Sequence, residues 1–298
     1  MRHGLEARAT VTMKKIGIIG YGNTGQFLCK KILTDPKYTS EFDLAFVWNR
    51  SIEKLEVDKD IVHEKYWLRG AGVGEAFQNY IKNGGSVDMI VEVAHPNVVR
   101  DCGALFLEYA DLYVASITAL AEAETEHILR KKATTNGVYL PSGAAWGIHD
   151  VQKMNALGTL RGLSVTMRFN ADALRLEERL KKKLDAYIQS DHQDELVLYK
   201  GNVRDLARLA PNNVNTMTCL ALSGSHIGLD HTQGCLIAQK EHDAHIIDIE
   251  VEGLNGFKVH TRRHNPAKKG AVTGDETYNS FLISLLKAGG QGGGFHFC

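Results

Sequence analysis

The reading of the fold turns on Lys15-Ile16-Gly17-Ile18-Ile19-Gly20-Tyr21-Gly22-Asn23-Thr24-Gly25. Residues 16–19 form a nearly continuous apolar run, the pattern of a strand buried on both faces of a parallel sheet. The run leads straight into three glycines, after which Phe27, Leu28 and Ile32 supply the apolar face of a helix. Strand, glycine-rich turn and helix in that order match the dinucleotide fingerprint. Gly20 permits a tight turn, Gly22 lets a pyrophosphate approach the backbone, and Gly25 lets helix and strand pack closely. The helix N-terminus then presents free N–H groups to the phosphates. Gly20, Gly22, Asn23, Thr24 and Gly25 are therefore candidate cofactor contacts.

Working outward, strand-like runs recur at 44–48, 89–93, 112–115 and 138–140, with helical patterns at 98–109 and 121–132. This alternation predicts a Rossmann-type, doubly wound parallel sheet with ligands at the carboxyl ends of its strands. The second half differs. Runs at 163–169, 196–199, 235–238, 245–252 and 257–261, the last two joined by Gly253-Leu254-Asn255-Gly256, predict a second α+β domain with a mixed sheet and a hairpin. Residues 175–194 are charged and read as a solvated excursion, 276–287 as a terminal helix, and 289–294 as a glycine-rich tail. The expected organisation is a flexible extension (1–12), a dinucleotide-binding domain (13–145), a substrate and dimerisation domain (146–273) and a C-terminal segment (274–298) packing back on the first domain.

Composition removes other classes. The 298 residues balance 35 Lys and Arg against 35 Asp and Glu, so no net field favours nucleic acid or an anionic membrane. Five scattered cysteines without a CxxC pair, and no HExxH-like spacing, predict no metal site and a reducing compartment. No apolar run approaches the ~20 residues of a membrane span. The expectation is a soluble, cytoplasmic chain.

Further site candidates lie after the strands. The second strand ends in Asn49-Arg50 where NAD-selective folds place a carboxylate for the ribose. Arg50 can pair with a 2′-phosphate instead, so NADP is expected to serve at least as well as NAD. Glu92-Val93-Ala94-His95-Pro96 and Pro141-Ser142-Gly143-Ala144-Ala145-Trp146-Gly147 fall on the sheet rim where a nicotinamide would rest, with Gly143 and Ala144 leaving room for its ring; His95 reads as a turn residue. The asparagines of 211–216 read as a helix cap. His245 opens a strand on the same face as Ile247, Ile249 and Val251, as either a core histidine or a site residue.

Together, the segments Ile18-Ile19-Gly20-Tyr21-Gly22, Val91-Glu92-Val93-Ala94, Pro141-Ser142-Gly143-Ala144, Asn213-Val214-Asn215, His245 and Asn265-Pro266 occur in the order found in L-aspartate dehydrogenases. The chain resembles that family from about residue 14 to the terminal helix, and 46–50, 93–96 and 260–263 resemble its animal branch. The resemblance implies oxidation of L-aspartate to iminoaspartate with NAD or NADP, or the reverse reductive amination, a link to NAD biosynthesis and a homodimer. It also implies a catalytic role for His245 and cofactor contacts at Ala144 and Asn215. Two departures stand out: Ile246 follows the histidine, and Trp146 replaces a smaller residue and is expected to reshape the substrate pocket.

Oxidising an amine by hydride loss requires a free nitrogen lone pair, so a base is needed; an imidazole titrating near neutrality suits the task. A dicarboxylic substrate also needs cations, for which Arg168, Lys268 and Lys269 are available. Two other readings are open: another reductase of this architecture acting on a small dicarboxylic substrate, or a non-catalytic NADP-binding sensor. The adjacent histidine pair of dihydrodipicolinate reductases is absent.

Overall fold

The apolar runs of the first half become the parallel strands β1 (Lys14–Ile19), β2 (Phe42–Trp48), β3 (Met89–Glu92), β4 (Asp111–Val114) and β5 (Gly137–Leu140) of a computed structural model that describes residues 13–298. The expected extension 1–12 lies outside the described residues. In the second half, β6 (Leu160–Asn170), β7 (Leu196–Asn202), β8 (Gln233–Gln239), β9 (Ala244–Gly253) and β10 (Lys258–Pro266) form a separate sheet. The last strand, β11 (Gly294–Phe297), returns to the first sheet.

That first sheet runs β11-β5-β4-β3-β1-β2, with every neighbouring pair parallel. Its inner strands β1, β3, β4 and β5 are buried on both faces over most of their length, which is why they lack polar alternation. Ile16, Ile18, Met89, Val91 and Tyr113 join one core with Leu28 and Ile32 of the helix Asn23–Thr34. Ile19, Ile90, Leu112 and Val114 face the other way, against Phe77, Phe106 and Leu129. Strand order reverses between β1 and β3, the topological switch point at which such sheets open a crevice.

The helix Asp275–Lys287 also packs on this sheet: Leu282 and Leu285 share the core of Ile16 and Ile18, and the Tyr113 hydroxyl donates to the Phe281 carbonyl at 2.9 Å. The glycine-rich stretch after it is not a tail. Gly289, Gly290, Gly292 and Gly294 take positive φ, turning the chain so that β11 can pair with β5.

The second sheet, ordered β10-β9-β6-β8-β7, is mixed: β6 lies parallel to β8 and antiparallel to β9. Leu163, Val165, Met167 and Phe169 alternate inward, as a sheet with one wet face demands. The charged excursion is corrected here. Residues Glu178–Gln189 form a helix that buries Leu180, Leu184 and Tyr187, a spacing of four and three under a crowd of lysines. The helix Asn215–Ser223 is buried from Met217 onward. Its N-cap is Val214, with no side-chain cap, so the expected asparagine cap is also corrected.

Candidate active site

Gly20 adopts φ +107°, and a Cβ there would lie 2.8 Å from the Ala94 backbone, so the loops after β1 and β3 touch at the switch point. At Gly25 a Cβ would come within 2.0 Å of the Gly20 carbonyl oxygen, whereas one at Gly22 would meet nothing within 4 Å. Gly20 and Gly25 are thus required by packing, while Gly22 leaves open space before the helix. No side chain caps the helix at Gly22, so its first N–H groups are available to an anion. The residues present fit a dinucleotide pyrophosphate.

Asn49 fastens this loop. Its Oδ1 accepts from the Tyr21 N–H at 3.0 Å and its Nδ2 donates to the Ser51 carbonyl at 2.7 Å. Arg50 beside it is exposed and in no ion pair among the described residues. On the next loop Ala94 is exposed, and His95 caps the helix Pro96–Phe106 by accepting from the Asn97 N–H. The ring of Tyr278 packs 5.5 Å from that of Phe27, so the terminal helix meets the helix that follows the glycine loop.

Beneath these loops lies Glu92, fully buried at the end of β3. Its carboxylate accepts from the N–H groups of Ala94, His95 and Ser116 and from the Ser116 hydroxyl, all at 2.8–3.1 Å. Burial raises its pKa to about 7 against the pull of these four donors.

Between the two sheets a cavity is lined by Ala115, Pro141 to Ala144, Met167, Phe169, Asn212, Asn213, Asn215, His245, Asn265 and Thr273, among others. Ala144 is 4% exposed. Asn215 is placed by its Oδ1, which accepts from the Thr118 N–H at 3.0 Å and so ties the two halves together. Asn213 accepts from the Arg175 N–H and donates to the Ala173 carbonyl.

His245 is 5% exposed, with its ring 4.5 Å from that of Phe169. Its Nε2 lies 2.9 Å from the Ala271 carbonyl. A carbonyl only accepts, so Nε2 carries the proton and Nδ1 is the lone-pair nitrogen. Burial lowers the imidazole pKa to about 4; the bond to Ala271 opposes this and His242 adds to it. The expected titration near neutrality is therefore corrected: His245 is neutral throughout the physiological range.

The cations expected for substrate lie elsewhere. Arg168 is on the opposite face of β6, paired with Asp248 at 2.6 Å and Glu195 at 3.3 Å. Lys269 pairs with Asp172, and neither it nor Lys268 lines the cavity. Arg263 on β10 donates instead to the Gly143 carbonyl at 3.1 Å, and burial lowers its pKa. It has no carboxylate partner among the described residues. Trp146 lines a neighbouring depression with Ser142, Gly143 and Arg263 rather than the His245 cavity, which corrects its expected effect on the pocket.

Comparison with known proteins matches residues 150–284 to the family described as aspartate dehydrogenase, C-terminal, and residues 20–141 to the NAD binding domain of homoserine dehydrogenase. An aspartate dehydrogenase domain-containing protein of Danio rerio is 40% identical over 95% of this chain and 98% of its own. The chain belongs to the aspartate dehydrogenase family. An L-aspartate dehydrogenase of Methanocaldococcus jannaschii is 27% identical over 71% of this chain and 74% of its own. The solved aspartate dehydrogenase of Thermotoga maritima shares the fold, with a TM-score of 0.64 at 16% identity over 93% and 95% of the two chains. This member of the aspartate dehydrogenase family is an NAD(P)-dependent dehydrogenase, built on a Rossmann-like domain and a mixed-sheet domain.

The cavity brings together Ala144, Asn215 and His245 of the expected residues, while Gly20 to Gly25, Asn49, Arg50 and Ala94 lie at the carboxyl ends of β1, β2 and β3 and are not part of its lining. Sequence reasoning gave no role of their own to Glu92, which it placed on the sheet rim, or to Arg263 and Asn265, which entered only with the family pattern. Glu92 carried a signal, a carboxylate ending an otherwise apolar strand. The other two carried none by themselves: they become site residues only once β10 pairs with β9.

Proposed function

We propose that this dehydrogenase interconverts L-aspartate and iminoaspartate, with the glycine loop and Ala94 holding NAD or NADP and His245 as the proton acceptor. The observation that carries this reading is the neutral His245, whose Nε2–H is committed to Ala271 while Nδ1 remains a lone-pair nitrogen in a cavity without lysine, arginine, aspartate or glutamate in its lining. The bound cofactor would supply a hydride acceptor at the carboxyl ends of the strands. His245 takes a proton from the substrate ammonium, and the lone pair left on nitrogen forms the C=N bond as hydride leaves Cα. The carboxylates of a bound aspartate would raise the imidazole pKa, since a nearby anion favours imidazolium.

The relatives named L-aspartate dehydrogenase support the substrate. Arg263, in the depression that shares Ser142 and Gly143 with the cavity, is the nearest candidate partner for the distal carboxylate. Arg50 would accommodate a 2′-phosphate, so NADP serves at least as well as NAD. We further infer a homodimer, and a contribution to NAD biosynthesis through iminoaspartate. The test is NAD(P)H formation at 340 nm with L-aspartate against a panel of amino and hydroxy acids. Turnover of L-aspartate above the others is expected; activity with another substrate alone would displace the aspartate reading.

A further inference from the structure

The strand pair that carries His245 carries a second polar side chain into the same cavity. β9 and β10 run antiparallel with His245 opposite Asn265, and directly opposed residues project to one face with Cβ atoms about 5 Å apart. Asn265 is 2% exposed and lines the cavity. Its Nδ2 donates to the Thr277 hydroxyl at 3.0 Å, but its Oδ1, although buried, has no hydrogen-bond partner among the described residues. A buried carbonyl oxygen left without a donor is rare, because nothing replaces the water it loses. His245, which lines the same cavity, keeps Nδ1 as an acceptor because its Nε2–H is spent on the Ala271 carbonyl. Two acceptors, one of them buried without a donor, therefore belong to directly opposed residues that line a cavity with no fixed charge.

We propose that Asn265 and His245 together form a binding site for a primary amine, and that Asn265 sets the choice of amino acid over hydroxy acid. The chemistry follows from counting donors. An ammonium carries three N–H groups and can satisfy both acceptors at once; after one proton passes to His245, the remaining amine still has N–H to offer Asn265. A hydroxyl has a single O–H and must leave one of the two acceptors without a donor. Sites that hydrogen-bond a substrate group reject the analogue lacking it far more strongly than apolar sites reject a change of size. The proposal deepens the aspartate reading and rests on it for the identity of the carbon skeleton, but the selection of nitrogen over oxygen stands apart from that skeleton.

The test compares binding of L-aspartate and L-malate to the protein saturated with NAD(P)H, by calorimetry, in wild type, Asn265→Leu and Asn265→Asp, with NAD(P)H affinity measured separately. Wild type is expected to favour aspartate by at least about tenfold, Asn265→Leu to lose that preference, and Asn265→Asp, which keeps an acceptor, to retain it. NAD(P)H affinity is expected to stay within about threefold of wild type, since Asn265 lies on the substrate side of the cavity. Should Asn265→Leu fail to fold, Asn265→Asp decides: loss of amine preference there overturns the proposal. So does an Asn265→Leu protein that keeps full preference. Wild-type preference for another amino acid over its hydroxy counterpart would sink the aspartate reading and leave the amine site standing. Binding of no amine at all would sink both.

Discussion

The two walls of the crevice are made of different material. On the proposed nucleotide side the atoms on offer belong to the backbone: N–H groups after Gly22, a close approach at Gly20 and Ala94, and loops held by Asn49 and Glu92 from behind. On the proposed substrate side they belong to side chains, His245 and Asn265, which strand register brings together in one cavity, with Arg263 in the depression beside it. Backbone sites depend on where a Cβ cannot go. Side-chain sites depend on which residues end up opposite one another.

The sharpest way to break this contrast is at Gly25. A Cβ only 2.0 Å from the Gly20 oxygen cannot be accommodated without moving backbone, so Gly25→Ala should weaken NAD(P)H binding at least about a hundredfold, the equivalent of about 3 kcal/mol of overpacking. Fluorescence titration of NAD(P)H reads this, and unchanged affinity would show that the loop is not a packed cradle. On the other wall His245→Ala should lower kcat about a thousandfold, within the usual range for a lost acid-base group, with NAD(P)H affinity changed little. If both fell together, the two walls would not be separable.

The difference also explains how much could be read in advance. Glycine spacing between an apolar run and a helical face is local, so the parallel sheet and its cradle were legible from residues 16–32. Period-two alternation likewise placed His245 on the inward face of β9. Asn265 and Arg263 were not legible as site residues, since twenty and eighteen positions separate them from His245 and only the β9–β10 register unites them. The helix Glu178–Gln189 was hidden because three buried residues sit among charges, and β11 because its glycine-rich approach resembles a disordered tail.

A subtler contrast lies in the two buried titratable groups. For His245 the folded pKa, about 4, lies below its usual 6.5, so between those values the unfolded chain binds more protons and stability rises with pH. For Glu92 the folded pKa, about 7, lies above its usual 4.5, so the folded chain binds more protons and stability falls as pH rises through that window. Glu92→Gln should therefore remove the falling contribution. It should also cost about 2 kcal/mol, because an amide cannot accept from all four donors. Thermal denaturation from pH 4 to 8 checks both signs; a variant as stable as wild type with the same pH slope would contradict them.

The smallest expected effect is at the far end of the nucleotide wall. Arg50→Ala should shift the kcat/KM ratio of NADP to NAD toward NAD by about tenfold, the loss of one charge-assisted contact of about 1.4 kcal/mol. An unchanged ratio would leave Arg50 a solvated turn residue.

The two walls must meet at one atom, the Cα of the substrate. L-aspartate deuterated at Cα, incubated with the protein and NAD(P), tests that meeting most directly by mass spectrometry of the reduced cofactor. The cofactor should gain one deuterium in wild type, at a rate cut about a thousandfold in His245→Ala. Reduced cofactor without deuterium, or none formed at all, would contradict the account.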